Sequence, residues 1–411
     1  MKNTFDKNKH NINEVIKKLR DSYTVAIDHG YGYVKATDTE NEISFPNVIS
    51  AYVAPKVNQD MVQEYVVTIK NRNFEETYKV GNFAKVGQIT KEWNSQQAID
   101  SRNINVVIGT SLFLLTEKDT SKYVVGEDGK YHINLALGLP IDAYNDQRKE
   151  LENKVKNLNI EVTINEKKKE FVISSIQVFQ QGISAFMYLS YNKNCVLRNK
   201  EHIIELLKNS EIKFPNNSEN KDIDFQEIAE EMIDFGVGIG DIGYRTVDGA
   251  KELNGRIQDD ESAFSREKGL HNYHLKAFEN IKQQLGDIGY SLLECEDALN
   301  ETNGMIKNGN AKHDIKPYFE AEYKQLADDL KNELNQRWKR LNNLGVIFLC
   351  GGGAKKVLDY TDFPVVTIVP ENPIYANAIG YYIRAQKTID KYLEENINVN
   401  EIKENIEEDQ E

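Results

Sequence analysis

Ala26-Ile27-Asp28-His29-Gly30-Tyr31-Gly32-Tyr33-Val34-Lys35 is the stretch on which the fold turns. An apolar run, Thr24 to Ile27, delivers an aspartate to a glycine-rich turn, and a second run leaves from Tyr33. The pattern predicts a β-hairpin with Asp28 at its tip. Gly30 and Gly32 permit tight backbone geometry, so that N–H groups can point at phosphate oxygens. Lys35 lies just past the tip and could reach those oxygens as a point charge. Asp28 would repel a phosphate unless a Mg²⁺ with its waters lay between them. Taken alone, the stretch also reads as an ordinary surface hairpin.

The design returns at Gly240-Asp241-Ile242-Gly243-Tyr244-Arg245-Thr246-Val247-Asp248. Again an aspartate ends a strand and a glycine opens the turn. The Thr246 hydroxyl can donate to a phosphate, and Asp241 is placed to orient an attacking water or take its proton. Gly238-x-Gly240-x-x-Gly243 also matches a dinucleotide fingerprint, but that motif should open a helix. Here the continuation through Thr246 to Gly249 is strand-like. Further on, the apolar run Val346 to Leu349 ends in Gly351-Gly352-Gly353 before a helix start at Ala354. The missing side chains let a flat ligand or a phosphate approach the backbone. At the strand-helix junction Val178-Phe179-Gln180-Gln181-Gly182, Gln181 can orient a water by donating and accepting hydrogen bonds. The seven histidines show no metal-binding spacing, and no Walker-type Gly-x-x-x-x-Gly-Lys is present. These residues point to phosphoryl transfer by positioning and metal, without covalent catalysis.

Length and composition set bounds. At 411 residues the chain exceeds what one hydrophobic core usually supports, so two or three domains are expected. Its 40% hydrophobic and 28% charged content is that of a globular protein. No stretch is apolar for the roughly 18 residues a membrane span needs, and Met1 to Ser22 lacks the apolar centre of a signal peptide. Cys195, Cys295 and Cys350 are widely spaced, which fits a reducing cytoplasm better than a disulfide framework. A net charge of -14 disfavours non-specific binding to DNA or anionic membranes.

The chain reads as a polar N-terminal extension (1–22), a first domain (23–190) with an inserted subdomain (about 44–130), and a polar insertion (191–229). A second domain (230–373) follows, with its own inserted subdomain (about 255–312). A C-terminal helix (374–392) returns to the first domain, and an acidic tail (393–411) ends the chain. Strand-like pieces and polar loops are expected in 44–130.

The order of the motifs is more specific than any one of them. A hairpin at Asp28, a junction at Gln181, a hairpin at Asp241, a glycine-rich strand end at Gly351 and the small-residue run Ala376-Asn377-Ala378-Ile379-Gly380-Tyr381 follow in sequence. This order resembles the actin superfamily. The forms Asp-x-Gly-x-Gly-x-x-Lys, Gly138-Leu139-Pro140 and Gln181-Gly182 resemble bacterial plasmid-segregation actins of the ParM/StbA and Alp type.

The resemblance implies an α/β, ribonuclease H-like fold of two domains, each a mixed five-stranded sheet with helices, plus inserted subdomains. It implies ATP, with GTP open, and Mg²⁺. Asp28, Gly30, Tyr31, Gly32, Tyr33 and Lys35 would form the phosphate 1 motif. Gly243, Tyr244, Arg245, Thr246 and Asp248 would form phosphate 2, and Gly351, Gly352, Gly353 and Ala354 the adenosine motif. Asp28 and Asp241 would hold Mg²⁺ through water, with Asp241 and Gln181 catalytic. It further implies a cytoplasmic, filament-forming ATPase that segregates plasmid DNA through a DNA-binding adaptor of ParR type, touching DNA only indirectly and no membrane. A small-molecule kinase on the same fold and a non-polymerising nucleotide-gated scaffold are the alternatives. The family often has two glycines where this chain has Tyr244-Arg245. Those side chains could crowd the phosphates, or Arg245 could add a contact.

Overall fold

The computed structural model describes residues 12–52, 65–85, 101–156, 158–215, 223–253, 256–258 and 263–408, with backbone alone for 101–102 and 397–408. The chain divides into two compact units. One comprises Met1–Leu139, Ala143–Leu197 and Tyr375–Glu411; the other Pro140–Asp142 and Arg198–Ile374.

The strands of the first unit are β1 (Tyr23–His29), β2 (Tyr33–Thr37), β3 (Glu42–Pro46), β4 (Ile49–Ala51), β5 (Val66–Lys70), β6 (Glu75–Val80), β7 (Tyr131–Leu139), β8 (Asn159–Ile164) and β9 (Lys167–Gln180). They form one sheet in the order β3-β2-β1-β7-β9-β8-β5-β6-β4. Its first five strands are the expected mixed arrangement, β1 to β3 antiparallel and β1, β7 and β9 parallel. The other four extend that sheet.

Helices α1 (Ile12–Arg20), α2 (Asn82–Lys85), α3 (Ser101–Lys118), α4 (Ile141–Val155) and α5 (Ala185–Ser190) precede a long C-terminal helix of the same unit, Ala376–Glu408. Alternation along the central strands explains the layering. Val25, Ile27, Leu135 and Leu137 share a core cluster with Ile104, Ile108 and Leu112 of α3. Ala26 and Ala136 instead meet Phe179 and, on the C-terminal helix, Tyr381 and Ala385. Alanine on that second face lets the helix lie close to the sheet.

Helix α3 corrects the expectation of strands and loops in 44–130. Residues 104–113 are buried without interruption, Asn105, Thr110 and Ser111 included, so the segment has no exposed face. A helix buried all round carries no clear 3.6-residue stripe to read. The polar extension also has structure: Ile16 and Leu19 of α1 pack on Ile389 and Tyr392 of the C-terminal helix. That helix was expected to stop at 392. It continues to Glu408, and no glycine or proline after Gly380 interrupts it.

The second unit holds β10 (Glu211–Lys213), β11 (Val237–Ile242), β12 (Val247–Leu253), β13 (Arg256–Ile257), β14 (Phe264–Arg266), a separate hairpin of β15 (Met305–Asn308) and β16 (Ala311–Asp314), then β17 (Val346–Cys350) and β18 (Val366–Val369). The main sheet runs β10-β18-β17-β11-β12-β13, with β14 also on β12. Its helices are α6 (Lys200–Lys208), α7 (Phe225–Phe235), α8 (Leu270–Leu285), α9 (Leu292–Glu301), α10 (Lys316–Trp338) and α11 (Ala354–Val357). The C-terminal helix is thus α12. Of the residues read as a polar insertion, 198–215 and 223–229 carry α6, the start of α7 and the edge strand β10, antiparallel to β18. Residues 216–222 lie outside the described chain.

The path β14-β12-β11-β17-β18 repeats β3-β2-β1-β7-β9 in order and direction. The long-period echo in the sequence is therefore an echo of topology. Asp28 faces Lys35 across its hairpin, and Asp241 faces Asp248 across the other.

Candidate nucleotide site

In the first unit, β1 carries Asp28 to its C-terminal end, where the side chain is buried with 4% of its surface exposed. Such a carboxylate needs partners. Lys35 Nζ donates to Oδ2 at 3.4 Å and Gln181 Nε2 donates to Oδ1 at 3.1 Å. The structure therefore joins the first turn to the junction 153 residues later. The Gln181 N–H donates to the Leu139 carbonyl at 2.8 Å, which pins the glutamine to the end of β7. Residues 181–184 form a turn, and α5 begins only at Ala185.

Gly30 sits where a Cβ would lie 2.9 Å from Lys35 Nζ and 3.0 Å from the Tyr33 carbonyl. Tyr31 packs on the edge of the core, while Tyr33 is exposed. Asn47 braces the turn from outside. Its Nδ2 donates to the Gly30 carbonyl at 2.8 Å, and its backbone N–H donates to that of Gly32 at 2.9 Å. Nothing in the sequence pattern marks Asn47, because the contact depends on β3 returning beside the hairpin. Asn47 Oδ1 and His29 Nδ1 are buried without a protein hydrogen-bond partner. Burial holds the His29 imidazole below its usual range, against the pull of Asp28 and with Lys35 adding to it. Its unpartnered nitrogen is thus neutral at pH 7.

The junction at Gln181 and the small-residue run 376–381 meet within this unit. The Gly182 N–H donates to Asn377 Oδ1 at 3.0 Å, and a Cβ on Gly380 would collide with the Ser184 carbonyl. Small residues at 376–380 are what let α12 lie against the 181–184 turn.

In the second unit, β11 ends at Asp241-Ile242 and the turn 243–246 leads into β12, not into a helix. The Gly243 N–H donates to the Thr246 carbonyl at 2.9 Å and closes the turn. Outside it, the N–H groups of Gly269, Leu270 and His271 donate to the carbonyls of Arg245, Gly243 and Tyr244 at 2.7, 3.1 and 2.7 Å. The start of α8 thus clamps the turn. Thr246 Oγ1, read as a phosphate donor, here donates to Asp248 Oδ2 at 3.0 Å. Asp248 is 1% exposed. Burial, and then the charge of Asp241, push its carboxyl up to about 7.

The glycine-rich strand end packs against the same aspartate. Gly351 has φ +84°, and a Cβ there would collide with Asp241 Oδ1. A Cβ on Gly353 would strike Ile242, whereas one on Gly352 would meet nothing within 4 Å. Ala354 opens α11, a single helical turn. Motifs 110 residues apart in sequence are therefore one surface.

These features fit a magnesium-bound nucleotide. Asp241 and Asp248 bring two carboxylates together, and the Asp248 carboxyl stays raised although Ser265, Thr246 and the Ile141 backbone hydrogen-bond to it. A cation would relieve that repulsion. Among the described residues no group of three or more His, Cys, Asp or Glu could enclose a metal. Mg²⁺ keeps most of its waters and takes one or two carboxylates with substrate phosphates, and the carboxylates of this hairpin fit that demand.

Residues 26–183 match the family model for the N-terminal domain of actin-like proteins, and 239–360 match that for the C-terminal domain of archaeal MreB-like actin homologues. Both halves are actin-like. Solved structures agree on the fold. A ParM from a 15-stranded Clostridium botulinum filament superimposes with a TM-score of 0.67 at 22% identity, over 89% of this chain and 99% of that one. The archaeal actin homologue Ta0583 in complex with ADP gives 0.60 at 15%, with the same coverage. Bacillus thuringiensis ParM with AMPPNP gives 0.56 at 16%, again over 89% and 99%. No curated protein sequence matches. This actin-like chain has, among its described residues, no helix long and apolar enough to cross a membrane.

Proposed function

We propose that this actin-like protein is a nucleotide-dependent, filament-forming ATPase. The observation that carries the reading is the repeated hairpin topology, with an aspartate at the same strand end in each unit. Support comes from neighbours solved with ADP, with AMPPNP and as a filament. The backbone of Gly30 to Tyr33, with Lys35, would receive phosphate oxygens in one unit. The backbone of Gly243 to Thr246 would do so in the other, with Gly351 to Ala354 beside the nucleoside.

In each unit an aspartate, Asp28 in the first and Asp241 in the second, is a candidate to hold Mg²⁺ through water, which would neutralise phosphate charge. Gln181 would donate to or accept from the attacking water, its amide already held at Asp28. Asp241 would accept a proton from an attacking water or fix its direction. By family resemblance, the filament would move plasmid DNA through a DNA-binding adaptor of ParR type in the cytoplasm.

The test is light scattering and sedimentation with ATP or GTP and Mg²⁺. Nucleotide-dependent assembly is expected, with Asp241→Ala giving polymers that persist because phosphate release is lost. A protein that stays monomeric in both nucleotides across accessible concentrations would sink the filament reading.

A further inference from the structure

Tyr244 stands where the resemblance leads one to expect a glycine, beside the turn that would meet phosphate. Its side chain does not stand alone there. The Tyr244 hydroxyl donates to Glu296 of α9, 3.0 Å from Oε1 and 3.3 Å from Oε2, and lies 3.0 Å from His271 Nδ1 of α8. Glu296 Oε1 also meets His274 Nδ1 of α8 at 2.6 Å, and His274 Nε2 meets the Tyr323 hydroxyl of α10 at 3.1 Å.

One proton assignment satisfies every contact. Tyr323 donates to His274 Nε2, and His274 Nδ1–H donates to Glu296. Tyr244 donates to Glu296, and His271 Nδ1–H donates to the Tyr244 oxygen. The rings pack as well, Tyr244 to His271 with centroids 5.0 Å apart and His274 to Phe319 at 5.1 Å. Lys356 of α11 faces the same carboxylate; burial lowers its ammonium and Glu296 opposes that. Two helices, α8 and α9, thus hold one side chain of the turn, and α10 braces them through His274.

We propose that Tyr244 and Glu296 are positioning residues for the turn 243–246: Glu296 holds the tyrosine ring back among the helices, leaving the turn's backbone to the phosphates. The inference rests on the nucleotide reading for its ligand, though not for the anchoring itself. The anchor adds a side-chain clamp to the backbone clamp from the start of α8. It also removes the crowding that a tyrosine at this position would otherwise cause. A carboxylate taking two donors in a half-buried setting is a strong partner, because hydrogen bonds to ionised groups are shorter and stronger than neutral ones.

The test uses the full chain with Tyr244→Phe, Glu296→Ala and the double variant Glu296→Ala, Tyr244→Gly. Amide exchange without nucleotide should accelerate at 243–246 in the first two while the thermal midpoint stays near wild type. The dissociation constant for a fluorescent ATP analogue with Mg²⁺ should rise about tenfold, the equivalent of ~1.4 kcal/mol. The double variant should return toward wild-type affinity, since without the ring nothing needs holding aside. A merely structural loss would not be rescued in this way. Unchanged exchange and affinity in Tyr244→Phe, with wild type binding normally, would overturn the proposal alone. A wild type that binds no nucleotide overturns the nucleotide reading, and exchange at 243–246 then decides the anchoring by itself.

Discussion

Gln181 Nε2 donates to Asp28 Oδ1 at 3.1 Å, so the residue read as a water positioner is tied to the residue read as a metal anchor. The contact fixes the amide's orientation: one Nε2–H goes to the carboxylate, and the second N–H and Oε1 can face a water. Replacing Gln181 with Ala should lower the rate of phosphate release roughly 10²-fold. Nucleotide affinity should change far less, because the glutamine makes no phosphate contact in this reading. Single-turnover phosphate release beside equilibrium binding separates the two effects. Equal losses in both would remove Gln181 from the hydrolytic step.

Gly351 and Gly352 are neighbours that should respond in opposite ways. Gly351→Ala forces a side chain onto a φ of +84° and into Asp241. Backbone strain alone costs about 1–3 kcal/mol. A displaced Asp241 should also abolish hydrolysis. Gly352→Ala meets nothing within 4 Å and should shift stability by no more than about 0.5 kcal/mol. Urea unfolding with an ATPase assay checks both. A tolerated Gly351→Ala would show that the strand end is not packed on the aspartate.

Gly380 is the close-approach residue of α12. Gly380→Ala should destabilise by about 1–3 kcal/mol, the usual cost of overpacking. The reason is that its Cβ would strike the Ser184 carbonyl, a backbone atom that cannot rotate away. The loss should appear in the urea midpoint and in faster amide exchange at 181–185, next to the Gly182–Asn377 hydrogen bond.

Asp38 provides a pH prediction away from the nucleotide residues. It is 1% exposed. Burial pushes its carboxyl up, but hydrogen bonds from Tyr123 and Asn41 and the charge of Lys122 outweigh that and leave it below the usual range. A depressed carboxyl contributes stability above the unfolded aspartate pKa and loses it as pH falls through the folded one. Thermal midpoints should therefore drop as pH falls below about 4. Asp38→Asn should weaken that acid dependence while lowering stability at pH 7. An identical acid profile in the variant would show that Asp38 carries none of it.

The parts of this chain that were legible before folding are those with a local period or a local exception. The strand ends at Asp28 and Asp241, the glycine run at 351–353 and the hairpin in place of a dinucleotide helix could be read because alternation and glycine placement are properties of adjacent residues. Helix α3 could not, since burial on every side of 104–113 erased its stripe, nor could β10, three residues long at a sheet edge. The structure alone decided the partners. Asn47 reached Gly30 only because β3 returns beside β2. Gly351 owes its missing side chain to Asp241 on the neighbouring strand, paired through parallel β11 and β17. Tyr244, the residue that fitted the pattern least, is accommodated by a glutamate 52 positions away. Sequence fixes the backbone's local options, whereas contacts between distant segments exist only once the sheet and its helices have brought them within hydrogen-bond reach.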